Sequence, residues 1–181
     1  AQPRGGRRLF PALDAGVWGL EMDIRWTADA MPVVLHDPDL KRVFGLPHKI
    51  ANLTWDEVQT LCPAIPSLAQ VVARYGQRMH LAFELKIDLS KNPNGIEGVQ
   101  AWQNTEHILQ SLTPTQDFHW MALEWDFFQL FTAKNPAIKT ACLPIARTQG
   151  HAAADFALAG GYAGSGAQYL FMKDTDIAAR H

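Results

Sequence analysis

Cysteine is almost absent: the 181 residues hold two, Cys62 and Cys142, and neither belongs to a CxxC pair. That scarcity excludes a disulfide-stapled scaffold and a zinc site built on paired thiolates. Both cysteines read as buried, reduced thiols. Long apolar runs are missing as well, and no segment approaches the roughly 18 residues of a membrane-spanning helix. The basic start Ala-Gln-Pro-Arg-Gly-Gly-Arg-Arg has no apolar region behind it, so no export signal is visible and a cytoplasmic location is expected. Nor does charge of one sign dominate. Sixteen Lys and Arg stand against 18 Asp and Glu, a formal net charge of −2. A sequence-blind nucleic-acid binder needs a basic stripe, and this balance excludes one while leaving room for a local cationic pocket that takes one phosphate. The glycine-rich stretch 160–166 lacks the GK[ST] of a P-loop, which excludes that nucleotide site.

Hydrophobic residues make up 48% of the chain and charged residues 19%. These are values of a globular protein with a core, expected here as a single domain over residues 1–181. Short apolar strands alternate with amphipathic helices. Strands are predicted at 17–26, 32–35, 79–87, 118–123, 140–143 and 169–172. Thr54-Trp55-Asp56-Glu57 and Ser67-Leu68-Ala69-Gln70 have capping-box spacing and open two helices. Leu68, Val71, Val72 and Tyr75 fall on one face of the second, with Gly76 expected to end it as the C′ residue. Further helices are predicted at 96–112, at 125–135 before Pro136, and at 152–159. This alternation predicts a parallel α/β sheet, open or closed into a barrel.

Three polar clusters interrupt the apolar strands. In Gly19 to Thr27, Glu21, Asp23 and Arg25 share one strand face, and Leu20, Met22, Ile24 and Trp26 share the other. Two carboxylates that close repel unless a cation joins them, and a hard divalent ion such as Mg²⁺ or Ca²⁺ prefers oxygen ligands. Met79 to Ile87 repeats the pattern, with His80, Ala82, Glu84 and Lys86 on the polar face. The charged pair falls at the strand's C-terminal end, where parallel α/β folds bind ligands. Glu84 suits the metal and Lys86 a phosphate oxygen. Val33-Val34-Leu35 delivers His36 to a strand end as a possible general acid or base, with Asp37 placed either to orient it or to start the turn. These strand ends are expected on one face of a parallel barrel. The remaining histidines show no ligand spacing, and the six tryptophans read as core or pocket wall.

In this order the clusters resemble the glycerophosphodiester phosphodiesterase family. Its pattern runs HRG, Pro-Glu-Asn-Thr, GxxxExDxxxTxDxxPVVxHDxxLxR and a later strand ending in ExK. Gly16, Glu21, Asp23, Thr27, Asp29, Pro32, Val33, Val34, His36, Asp37, Leu40 and Arg42 match the long block, and Glu84-Leu85-Lys86 matches the last. The resemblance is strong over residues 16–88 and weaker beyond. It implies a (β/α)8 TIM barrel and an enzyme that hydrolyses glycerophosphodiesters to an alcohol and glycerol 3-phosphate with Mg²⁺ or Ca²⁺. By the same resemblance Glu21, Asp23 and Glu84 hold the metal, His36 is one of two catalytic histidines, and Arg4 and Lys86 contact the phosphate.

Two departures from the pattern are plain. Pro3-Arg4-Gly5 replaces HRG, and Phe10-Pro11 runs into Ala12 to Gly16 without Glu-Asn-Thr or most of the first helix. With about six candidate strands where a barrel has eight, the folding chain is expected to be longer than the sequence. Two other functions follow from these features. Pro3 motivates a non-catalytic relative that binds phosphate or metal. Trp120, Trp125, Phe127 and Phe128 motivate a related phospholipase D-type barrel enzyme on lysophospholipids or sphingolipids, if they line an apolar mouth.

Overall fold

The computed structural model describes residues 16–87, 99–134, 136–147 and 150–167. Their contacts divide the chain into two compact units, one of residues 1–86 and 96–118, the other of 87–95 and 119–181.

In the first unit, strand β1 (Gly19–Trp26) is the centre of order β2-β1-β3. Its even-numbered residues Met22, Ile24 and Trp26 are buried, while Glu21, Asp23 and Arg25 occupy the opposite face, as alternation requires. Strand β3 (His80–Leu85) runs parallel to β1 in a register that sets Asp23 beside Glu84. Strand β2 (Pro32–Val34) pairs antiparallel with β1. That corrects the expectation of parallel strands throughout. The link from Trp26 to Pro32 is too short for a crossover, which takes a dozen or more residues, so the chain turns back as a hairpin. Thr27 and Asp29 build that turn: Thr27 Oγ1 donates to Asp29 Oδ1 at 2.5 Å and accepts from Met31 N at 3.0 Å.

Helix α1 (Lys41–Phe44) is a single turn with no periodic signal in the sequence. Helices α2 (Trp55–Leu61) and α3 (Leu68–Tyr75) begin at Thr54 and Ser67, and both capping boxes are complete. Each box satisfies two N–H groups that the first helical turn leaves without partners. Gly76 ends α3 as expected, yet without the left-handed turn common at such a glycine; its φ and ψ are −49° and −39°. Space demands glycine there instead, because a Cβ would stand 2.6 Å from Val72 O and 3.0 Å from Leu112 Cδ2. Helix α4 (Val99–Leu109) is tied to β1 by a buried hydrogen bond from Trp26 Nε1 to Thr105 Oγ1, 3.0 Å.

The second unit stacks parallel strands in the order β4 (Phe118–Ala122), β5 (Cys142–Ala146) and β6 (Gly166–Ala167). Helices α5 (Trp125–Lys134) and α6 (Gly150–Gly160) alternate with them. β5 begins two residues later than predicted because 136–141 form a 3-10 turn. The strand expected at 169–172 lies outside the described residues. Phe127 stacks on Phe131 at 5.5 Å between ring centres, and Phe156 stacks on Tyr162 at 5.4 Å. Trp120, Phe127 and Phe128 are buried, and Trp125 Nε1 donates to Ile145 O at 2.7 Å. Trp120, Phe127 and Phe128 therefore belong to core packing and do not line an apolar mouth, while Trp125 is half-buried. Cys62 and Cys142 are both buried, and burial pushes the Cys142 thiol up to about 12. Among the described residues, no helix is long and apolar enough to cross a membrane.

Candidate active site

The polar faces of β1 and β3 meet in one place. Carboxylate oxygens of Glu21, Asp23 and Glu84 all lie within 4.8 Å of one another, so the three acids separated by 63 residues of sequence form one cluster. Two come from alternate positions of β1, and the third is set opposite Asp23 by the parallel register. Lys86 follows on the same face of the β3 chain. Its Nζ is 2.8 Å from Asp23 Oδ1 and ion-paired with Glu84 as well.

Electrostatics follow from the crowding. The Glu21 carboxyl titrates above the ordinary glutamate range. Loss of water contact is the main cause, and the charges of Asp23 and Glu84 add to it, while Lys86 and His36 act the other way. One ammonium among three carboxylates leaves net negative charge in a confined space. A hard divalent cation fits that donor set, since it takes oxygen ligands and supplies the missing positive charge.

His36 reaches the same region by the antiparallel return of β2. Leu35 N donates to Asp23 O at 3.0 Å, which brings the chain back level with the acidic cluster. Arg25 Nε donates to His36 O at 2.9 Å. The imidazole Nδ1 lies 2.8 Å from Asp37 Oδ1. Arg42 in turn donates to Asp37 from Nε at 2.6 Å and from Nη2 at 2.9 Å. These hydrogen bonds from Arg42 hold the Asp37 carboxyl down at about 2. Glu21, Asp23, His36, Asp37 and Arg42 open onto one groove of about 860 Å³. Its other wall is apolar, with Phe44, Ile65, Val71 and Tyr75.

Five of the six expected site residues are thus placed: Glu21, Asp23 and Glu84 together, Lys86 ion-paired among them, and His36 on the groove that Glu21 and Asp23 also line. Arg4 lies outside the described residues. Sequence reasoning assigned no role to Arg42, and took the Arg25 side chain as a salt-bridge partner of its strand's carboxylates, where its Nε donates to His36 O. The signal for Arg42 was present as the last position of the HDxxLxR block, but nothing in that spacing says which carboxylate the guanidinium grips.

The model of the glycerophosphoryl diester phosphodiesterase family matches residues 10–175. The chain belongs to that family. Among curated relatives, glycerophosphodiester phosphodiesterase 1 of Bos taurus is 28% identical over 85 residues, covering 39% of this chain and 26% of that protein. The chain therefore spans about a quarter of the length of the curated relative it matches. Among solved structures, a glycerophosphodiester phosphodiesterase of Thermotoga maritima is 23% identical with a TM-score of 0.61, covering 82% of this chain and 57% of the other. An Oleispira antarctica phosphodiesterase, solved with its product sn-glycerol-3-phosphate, is 18% identical with a TM-score of 0.73, covering 93% and 70%. These likenesses show the fold, an α/β chain of the TIM-barrel class. The sequence covers part of the length of such a barrel.

Proposed function

We propose that the chain is a metal-dependent phosphoric diester hydrolase that cleaves glycerophosphodiesters to an alcohol and glycerol 3-phosphate. The observation that carries the reading is the cluster of Glu21, Asp23 and Glu84, of which Glu21 and Asp23 open onto the groove that His36 also lines. Membership in the family and the product bound by the Oleispira antarctica relative support it.

In this reading Glu21, Asp23 and Glu84 hold Mg²⁺ or Ca²⁺. The cation would neutralise the phosphodiester and stabilise charge developing in the transition state. Lys86 takes a phosphate oxygen, and Arg4 contributes a second phosphate contact by its place in the family pattern. His36 transfers a proton, as a group whose ordinary pKa lies near neutrality. The apolar wall of Phe44, Ile65, Val71 and Tyr75 supports a second reading, in which a lysophospholipid chain lies in the groove.

Release of glycerol 3-phosphate from glycerophosphocholine, with Mg²⁺ or Ca²⁺ supplied, tests the first reading. Because Pro3 stands where the family has its first histidine, the assay includes Pro3→His beside the parent. Turnover of glycerophosphocholine by either supports hydrolysis of water-soluble diesters. Turnover of a lysophospholipid alone favours the second reading. No turnover of any phosphodiester, with cation binding intact, leaves a phosphate- or metal-binding relative.

A further inference from the structure

We infer that Asp37, gripped by Arg42, is a positioning residue that fixes the tautomer of His36, keeping its proton on Nδ1 and Nε2 as the available nitrogen. The catalytic consequence rests on the reading of His36 as a proton-transfer group, whereas the tautomer itself does not.

Geometry carries the inference. A neutral imidazole has one N–H and one acceptor nitrogen, and whichever nitrogen faces an ionised carboxylate keeps the proton. Asp37 Oδ1 is 2.8 Å from Nδ1, so Nδ1–H donates and Nε2 is left with its lone pair. The carboxylate is itself held by two hydrogen bonds from one guanidinium, the bidentate arrangement that fixes orientation as well as charge. The His36 side chain is 57% exposed and has little packing to hold it. Its orientation therefore depends on these polar contacts and on Arg25, which holds the backbone carbonyl of the same residue.

The alternative role for Asp37, forming the turn after β2, is filled by another residue. Asp39 Oδ1 accepts from Lys41 N at 3.0 Å at the start of α1. Asp37 is left to His36 and Arg42. A depressed carboxyl titration is what this pairing produces, and it keeps Asp37 an acceptor through the neutral range.

Long-range ¹⁵N–¹H NMR of the His36 ring, at a pH where the imidazole is neutral, reads the tautomer directly. The parent should show a protonated Nδ1 and an unprotonated Nε2. Asp37→Asn can donate to Nδ1 and should move the proton to Nε2, while Asp37→Glu, which keeps a carboxylate, should return it. A parent carrying its proton on Nε2, or an Asp37→Asn spectrum identical to the parent's, overturns the inference. In the hydrolysis assay Asp37→Asn should lower kcat by roughly 10²-fold or more with KM unchanged, as a wrong tautomer does elsewhere. An unchanged kcat overturns the positioning role even if the proton moves. Should neither the parent nor Pro3→His hydrolyse any diester, the NMR result still decides the tautomer, so the two failures are distinguishable.

Discussion

Asp23 and Glu84 are register partners across the parallel β1–β3 ladder, and the Lys86 ammonium is ion-paired with both. Two side-by-side carboxylates on one face destabilise a ladder unless positive charge lies between them. Lys86 supplies one charge, and the position of Glu21 leaves demand for more.

Glu84→Gln removes a charge and a ligand at the centre of that cluster. Isothermal titration should show binding of Mg²⁺ or Ca²⁺ to the parent and much weaker binding to the variant. Lys86→Met should act in the opposite direction and strengthen cation binding, because the ammonium competes for Asp23 and Glu84. Equal affinities across all three proteins would remove the cluster from metal binding.

The Asp37–Arg42 pair makes stability depend on pH in a defined window. The folded Asp37 carboxyl titrates at about 2, below its ordinary 3.8. A depressed carboxylate stabilises the fold fully above its unfolded value, and the contribution disappears as pH falls through the folded one. Arg42→Ala should therefore lower the urea midpoint near pH 6, and by much less near pH 2, where folded Asp37 is about half protonated. A difference that does not shrink with acid would contradict the pairing.

Thr105→Val keeps the side-chain volume but removes the acceptor of Trp26 Nε1. Both residues are buried, so the indole N–H would be stranded between β1 and α4. Leaving a buried donor unmade costs about 1–3 kcal/mol. Chemical denaturation of parent and variant measures it, and a loss below about 0.5 kcal/mol would show that the indole finds another partner.

Local signals made much of the first unit legible in the sequence. The alternation of Glu21, Asp23 and Arg25 with Met22, Ile24 and Trp26 follows from strand geometry alone, and it holds. Thr54 and Ser67 announce their helices through residues three positions away. The antiparallel return of β2 was missed because an apolar triplet carries no information about strand direction. The helix α1 was missed because four residues are too few for a period. Gly76 ends α3 as the spacing suggested, but the reason for glycine was not legible: the Val72 carbonyl stands where a Cβ would go, with the Leu112 side chain beside it. Of the site, the residue types and their faces were visible. The bidentate grip of Arg42 on Asp37 was not, since it depends on how the turn after β2 closes.

The proposed hydrolysis depends most on His36, whose contribution to the rate can be measured directly. With Mg²⁺ or Ca²⁺ present, glycerol 3-phosphate release from glycerophosphocholine is compared between the more active of parent and Pro3→His and the same protein carrying His36→Ala. A proton-transfer group should cost roughly 10²–10⁴-fold in kcat when removed, with cation affinity by titration nearly unchanged. A His36→Ala protein that turns over at the rate of its comparator would contradict the assignment.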